Sequence, residues 1–270
     1  MSEFLRLSLH EDFTYAKGIA YSRGVQWPAF WISMAYVVVI FSLKALMANR
    51  KPLELRLPLQ LWNLWLAVFS IGGSLVTSAA LYNEVSKYGL VASYTKCQDF
   101  FEGYSGLWTW WFCLSKIAEL GDTIFLVLRK RPLMFLHWYH HVATLNYGMW
   151  SYNERTAFNT WIVWLNFSVH AIMYSYYFLA ACKIRCPAAV AQCITVLQIT
   201  QFAITHVILF HVGGIKALGG EVDASWPVYW YCLIMELSYL ALFGNFFYHS
   251  YIKNGGKKFN REKQPAKKEE

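Results

Sequence analysis

Residues 133–150 read LMFLHWYHHVATLNYGMW, a run without Lys, Arg, Asp or Glu. At 1.5 Å per residue a helix of this length covers roughly 27 Å, close to the ~30 Å hydrocarbon core of a bilayer. The run is read as a transmembrane helix, and its polar content is concentrated in His137-Trp138-Tyr139-His140-His141. Positions 137, 140 and 141 are related by i, i+3 and i+4, so the three imidazoles fall within roughly a 100° sector of one helix face. Neutral histidine can act as acid, base, nucleophile or metal ligand, and ionisable groups are costly at membrane depth. One stretch therefore carries both the fold class and the candidate chemistry.

Outward from it lie six further apolar runs, at about 28–47, 58–81, 107–128, 157–180, 187–210 and 227–252, each near spanning length. Of 270 residues 57% are apolar and 19% aromatic, without the alternating polar and apolar faces of a soluble domain. The chain reads as an all-α polytopic membrane protein with seven transmembrane helices and no separate soluble domain. Pro28, Pro58, Pro132, Pro187 and Pro227 are expected at or just before the starts of five helices, where a missing N–H costs least. The expected organisation is a lumenal segment over 1–26, a helical membrane domain over 27–252 and a basic cytosolic tail over 253–270. Residues 1–26 lack a cleavable signal pattern, so the first apolar run is expected to remain as a helix.

Lys and Arg outside the spans divide unevenly. One side collects Arg50, Lys51, Arg56, the Arg129-Lys130-Arg131 turn, Lys183, Arg185 and a tail with seven basic residues, fifteen in all, against seven on the other. The positive-inside rule puts the fifteen, and the C-terminus, in the cytosol and the N-terminus across the membrane. The net charge of +8 suits an anionic lipid surface or a phosphate-bearing cytosolic ligand, and nothing points to nucleic acid. Of the six Cys only Cys97 falls in a non-cytosolic loop, which argues against a structural disulfide.

Polar residues recur at similar depth in several spans. The third run carries Lys116, Glu119, Asp122 and Thr123, expected on about one third of a continuous helix. The fifth carries Asn166, His170, Met173 and Tyr177 on one stripe, and the sixth carries Gln198, Gln201 and Thr205. Counted from the cytosolic ends, His140 lies roughly 11 Å deep, Glu119, His170 and Gln198 about 15–16 Å, and Lys116 about 20 Å. A Lys116–Glu119 pair alone would serve as helix-to-helix glue. A shared layer of imidazoles, cation, carboxylates and amides points instead to a site, with roughly 15–20 Å of hydrocarbon depth beyond it. His206 reads as a bundle histidine satisfied by its neighbours, and Glu236 is a buried carboxylate whose role is open.

Lys116-x-x-Glu119-x-x-Asp122-Thr123, His137-x-x-His140-His141, Asn166-Phe167-x-x-His170-x-x-Met173-Tyr174-x-Tyr176-Tyr177 and Thr195-x-x-Gln198-x-x-Gln201 together resemble the very-long-chain fatty acid elongases. The context from Leu128 to His141 looks most like the branch acting on saturated and monounsaturated acyl chains of about palmitoyl length. The resemblance implies a 3-oxoacyl-CoA synthase of the endoplasmic reticulum membrane that condenses acyl-CoA with malonyl-CoA and releases CO2 and CoA. It implies seven helices, six of them enclosing an acyl tunnel as two inverted three-helix units. It implies no cofactor and no metal, and as partners the ketoacyl reductase, hydroxyacyl dehydratase and enoyl reductase of the elongation cycle, with membrane lipid around it; a homo-oligomer stays open. Lys267 and Lys268 near the C-terminus resemble a dilysine retrieval signal. Related elongases join two lumenal loops by a disulfide; Cys97 fits one half, but 211–226 holds no Cys, leaving closure to packing or to Cys232.

By the same resemblance His140 attacks the thioester to form an acyl-imidazole, which the malonyl-derived enolate then attacks. His170 would stabilise the thioester or enolate oxygen, with His137 and His141 fixing tautomers or moving protons. Lys116, Glu119, Asp122, Asn166, Gln198 and Gln201 would support them. Direct condensation with His140 as base stays open. Arg129, Lys130, Lys183, Arg185, Lys253 and Tyr177 are expected around the CoA moiety. Bulky residues toward the lumen, Trp150, Trp161, Trp164 and Phe202, are candidates for the wall that ends the tunnel. H-x-x-H-H also occurs as a metal-ligand box in membrane di-iron desaturases and hydroxylases, but those need several boxes and this chain has one. A seven-helix receptor or transporter would leave the polar layer without a purpose.

Overall fold

The computed structural model describes residues 13–253, so Lys267, Lys268 and most of the basic tail lie outside the described residues. The chain is helical, with no strand among the described residues. The helices are α1 (Tyr15–Leu46), α2 (Arg56–Tyr88), α3 (Ala92–Thr95), α4 (Gly103–Glu119), α5 (Gly121–Leu128), α6 (Phe135–Asn153), α7 (Asn159–Ala181), α8 (Ala188–Ala217) and α9 (Trp226–Phe247). A 3-10 turn covers Asp99–Phe101, and a π-helical segment, Tyr248–Lys253, extends α9.

Among the described residues, four helices are long and apolar enough to cross a membrane: Tyr15–Leu46, Arg56–Tyr88, Ala188–Ala217 and Trp226–Lys253. Their outer faces show large apolar side chains such as Trp27, Leu75, Val207 and Ile234. Apolar residues outside and polar ones inside is the arrangement a lipid solvent favours, and the protein is a multi-pass membrane protein. By contrast α6 carries three histidines and two asparagines within its 19 residues, which lowers its apolar character without taking it out of the bundle.

Two expectations are corrected. Pro28 lies well inside α1, whose Thr14 N-cap accepts a hydrogen bond from the Lys17 N–H, so the helix begins 13 residues before the proline. Pro28 lacks the N–H that would bond the Gly24 carbonyl, and an apolar run marks lipid depth rather than the helix start. The third run is not one helix: α4 ends at Glu119 and α5 begins at Gly121. A Cβ on Gly121 would lie 2.8 Å from the Trp62 ring, so the glycine lets α2 close against the break.

α2 packs most extensively on α7, α1 on α6, and α8 on α9. α4 packs on α2 and α6, α7 on α8, and α9 on α6. The α2–α7 contact is close because Gly73 faces the Phe167 ring, where a Cβ would overlap the ring carbons. At the end of α7, Arg56 and Gln60 of α2 donate to the Ala181 carbonyl and Arg56 also to that of Cys182, satisfying acceptors the helix leaves open.

Among the described residues, three helices end on a basic residue in the left-handed region, Lys130 (φ 52°), Arg155 (φ 54°) and Lys183 (φ 62°). Each forms the paired 6→1 and 5→2 hydrogen bonds of a Schellman cap, for instance Arg131 N–H to the Leu126 carbonyl and Lys130 N–H to that of Val127. The caps turn the chain sharply into the loops.

The loop over 218–225 is tied down without a disulfide, and all six cysteines are free. Asp223 accepts from the Cys97 N–H (2.8 Å), its own N–H donates to the Thr95 carbonyl (2.8 Å), and its carbonyl accepts from the Ala157 N–H (2.8 Å). Lys96 pairs with Glu221 at 3.0 Å. Neither packing alone nor Cys232 closes this end: a hydrogen-bonded aspartate does, and Cys232 is buried inside the bundle. Burial, aided by Asp223, pushes the Cys97 thiol up to about 12.

Candidate active site

The consecutive helices α6 and α7 are held apart, α6 by α1, α4 and α9 and α7 by α2 and α8. Between them opens a cavity of about 290 Å³ lined by His137, His140, His141 and His170 together with Glu119, Asp122, Tyr177, Gln198 and Gln201. The i, i+3, i+4 spacing brings the α6 imidazoles together: ring centroids are 4.8 Å apart for His137 and His141 and 5.6 Å for His140 and His141. His140 also stands against Tyr239 of α9, centroid to centroid 4.9 Å, and the Tyr239 hydroxyl donates to the His140 carbonyl at 3.2 Å.

Opposite, a polar chain runs from α4 to His170. Glu119 accepts from Ser115 (3.1 Å) and Lys116 (2.8 Å), Lys116 donates to Asn166 Oδ1 (3.0 Å), and Asn166 Nδ2 meets His170 Nε2 at 3.3 Å. An ammonium can only donate, so the Asn166 oxygen must face Lys116 and its NH2 must face His170. His170 Nε2 is thereby an acceptor and the ring hydrogen sits on Nδ1. Lys116 and Glu119 are both buried, and losing one partner of such a pair leaves an uncompensated charge at a cost of about 3–5 kcal/mol. Lys116 also sits 4.2 Å above the Phe112 ring.

Because of the break at Leu120, Asp122 and Thr123 do not continue this chain. Asp122 accepts from Trp62 Nε1 and from the Tyr174 hydroxyl (2.7 Å), and Thr123 pairs with the Tyr36 hydroxyl at 2.6 Å. Gln198 donates to the Met173 sulfur at 3.3 Å. Of the six residues expected at CoA, Tyr177 lines the cavity and Arg129, Lys130, Lys183, Arg185 and Lys253 do not. Lys130 is engaged elsewhere, donating to the Ala48 and Arg50 carbonyls at 2.9 and 3.0 Å. His206 lies off the cavity with Nδ1 against the Phe202 carbonyl at 2.6 Å. Among the four bulky candidates for the tunnel end, Phe202 lines the cavity, whereas Trp161 and Trp164 donate to Ser93 and Ser78.

Ser115, Trp62 and Tyr239 escaped the sequence reading. Ser115 is i−4 to Glu119 and was legible by spacing, as was Tyr239 beside Glu236 on one face. Trp62 is brought to Asp122 only by the α2 packing and had no signal.

The assembly places several imidazoles in one membrane-embedded cavity with buried hydrogen-bond partners on one wall. Such a site can supply a nucleophile or base on one side and a fixed donor on the other. Residues 23–259 match the GNS1/SUR4 family. The chain is 48% identical over 226 residues to Long chain fatty acid elongase 1 of Caenorhabditis elegans, covering 83% of this chain and 78% of that protein. It is 40% identical over 253 residues to Very long chain fatty acid elongase 6 of Mus musculus, covering 90% and 93%. The like-named protein of Drosophila melanogaster is 41% identical over 239 residues, covering 86% and 74%. A match that spans nearly the whole sequence, with relatives this similar over most of their length, shows that the chain belongs to the GNS1/SUR4 family.

Proposed function

We propose that the protein is a fatty acid elongase, a 3-oxoacyl-CoA synthase that condenses a long-chain acyl-CoA with malonyl-CoA to give 3-oxoacyl-CoA, CO2 and CoA. The observation that carries this reading is the facing of His140 and His170 across one cavity, with His170 held by the Lys116–Asn166 chain. His140 attacks the acyl carbon, CoA leaves as a thiolate that takes up one proton, and an acyl-imidazole forms. Malonyl-CoA then loses CO2, its electron pair becomes the enolate, and the enolate carbon displaces His140 from the acyl carbon. His170 donates from Nδ1 to the oxygen on which negative charge develops. His137 and His141 fix tautomers or move protons, and Glu119, Asp122, Gln198 and Gln201 hold the walls.

The reading includes seven spanning helices, with α4 and α5 as one interrupted span. The pairwise packing α2–α4–α6–α9–α8–α7–α2 supports six of them enclosing the cavity as two inverted three-helix units, with α1 outside against α4, α5 and α6. The charge asymmetry supports a cytosolic C-terminus in the endoplasmic reticulum membrane, with Tyr177 and the basic residues Arg129, Lys183, Arg185 and Lys253 near the CoA phosphates. The ketoacyl reductase, dehydratase and enoyl reductase of the cycle would act on its product. Purified protein incubated with malonyl-CoA and acyl-CoAs of graded length should yield 3-oxoacyl-CoA two carbons longer. No such product from any acyl-CoA would overturn the reading.

A further inference from the structure

Trp62 of α2 donates from Nε1 to one Asp122 oxygen, and the Tyr174 hydroxyl donates to the other at 2.7 Å. Trp62 lines neither the cavity that holds His140 and His170 nor a smaller one of about 40 Å³, lined by Glu236, that shares His140 with it. A substrate in either cavity is therefore out of its reach. Its ring stands where the α4–α5 span is interrupted, 2.8 Å from the place a Cβ on Gly121 would take. On an unbroken helix Asp122 would follow Glu119 on the Lys116 stripe. The break turns it to Trp62 and Tyr174 instead, and its carboxylate joins α2 to α7.

Tyr174 lies one turn beyond His170 on α7, and the two rings meet edge to face, with centroids 5.3 Å apart and planes at 84°. Asn166, one turn before His170, meets its Nε2 at 3.3 Å. That single contact fixes which nitrogen carries the hydrogen but lets the ring pivot about Nε2. The Tyr174 ring blocks the pivot only while it is itself held still. Its hydroxyl is tied to a carboxylate, and the carboxylate is tied to the Trp62 indole, so the hold reaches His170 from a third helix.

We propose that Trp62 and Tyr174 are positioning residues that act through Asp122 to set the tilt of His170 and so aim its Nδ1 at the oxygen on which charge develops. The inference rests on the elongase reading above. It gives α2, which adds no residue to either cavity, a part in the chemistry. Misplacing a reacting group by about 1 Å can cost on the order of 10²-fold in rate. A contact felt only in the chemical step lowers kcat and leaves KM alone.

The test uses the full chain in detergent with palmitoyl-CoA and malonyl-CoA. Trp62→Phe removes the indole donor and keeps an aromatic ring; Tyr174→Phe removes the hydroxyl and keeps the ring beside His170. Each should lower kcat at least tenfold and change KM for either substrate less than threefold. Because both act through Asp122, the double variant should lie within threefold of the slower single one. Trp65→Phe, which also removes an indole but one that is 48% exposed and 5.4 Å from Trp62, should keep kcat within twofold. A folded Trp62→Phe protein within threefold of the wild-type kcat would overturn the proposal, as would a double variant whose loss is the product of the single losses, or a Trp65→Phe loss equal to that of Trp62→Phe. If Trp62→Phe does not fold by thermal unfolding, Tyr174→Phe decides alone by the same threefold limit. Absence of 3-oxoacyl-CoA from the wild-type protein would overturn the elongase reading instead.

Discussion

Asn166→Asp changes one atom type and tests how His170 is held. Asn166 accepts from Lys116 Nζ at 3.0 Å and donates to His170 Nε2 at 3.3 Å, which keeps the ring hydrogen on Nδ1. Aspartate fills the same space but only accepts, so the oxygen facing Nε2 draws the ring hydrogen there and Nδ1 turns from donor to acceptor. If His170 stabilises developing charge from Nδ1, that contribution vanishes; removing one such donor typically costs about 10²–10³ in rate, or about 2.7–4 kcal/mol. Lys116 meanwhile gains a second carboxylate beside Glu119, so the fold should hold. The assay is the initial rate of 3-oxoacyl-CoA formation from palmitoyl-CoA and malonyl-CoA, with thermal unfolding measured on the same sample. A well-folded Asn166→Asp protein within about threefold of the wild-type rate would refute this role for the Asn166–His170 contact.

Four further outcomes are expected. Acyl-CoA alone should release CoA and leave an acyl adduct on His140, seen by intact-protein mass spectrometry; absence of both from protein that turns over would favour direct condensation. Asp223→Ala should destabilise the protein by about 1–3 kcal/mol in thermal unfolding, because it leaves the Cys97 N–H without its 2.8 Å acceptor, while Cys97, with its thiol pushed up to about 12, should resist alkylation at neutral pH until the protein unfolds. Gly73→Ala should cost about 1–3 kcal/mol by forcing α2 away from the buried Phe167 ring, again read by thermal unfolding.

Much of the architecture was legible because lipid imposes a simple rule on spanning length, and the histidine spacing placed three imidazoles on one face. What escaped depends on contacts between distant segments. Pro28 looked like a helix start because the apolar run begins there, yet Thr14 caps the helix fourteen residues earlier in polar sequence. The Lys116 to Asp122 motif read as one stripe; Gly121 packs under Trp62, a residue nearly sixty positions away. The missing cysteine in 211–226 left closure to packing or to Cys232, since nothing in the sequence pairs Asp223 with Cys97 and Thr95. Glu236 was visible as an oddity, but its chamber is built from five helices and no local pattern announces it.

The most direct test of the central claim is product formation by His140→Ala. His140 lies between both cavities and donates no side-chain hydrogen bond that holds the helices together among the described residues. The variant should insert, stay folded by thermal unfolding, and form no 3-oxoacyl-CoA above background from palmitoyl-CoA and malonyl-CoA. Near-wild-type product from a folded His140→Ala protein would contradict the account.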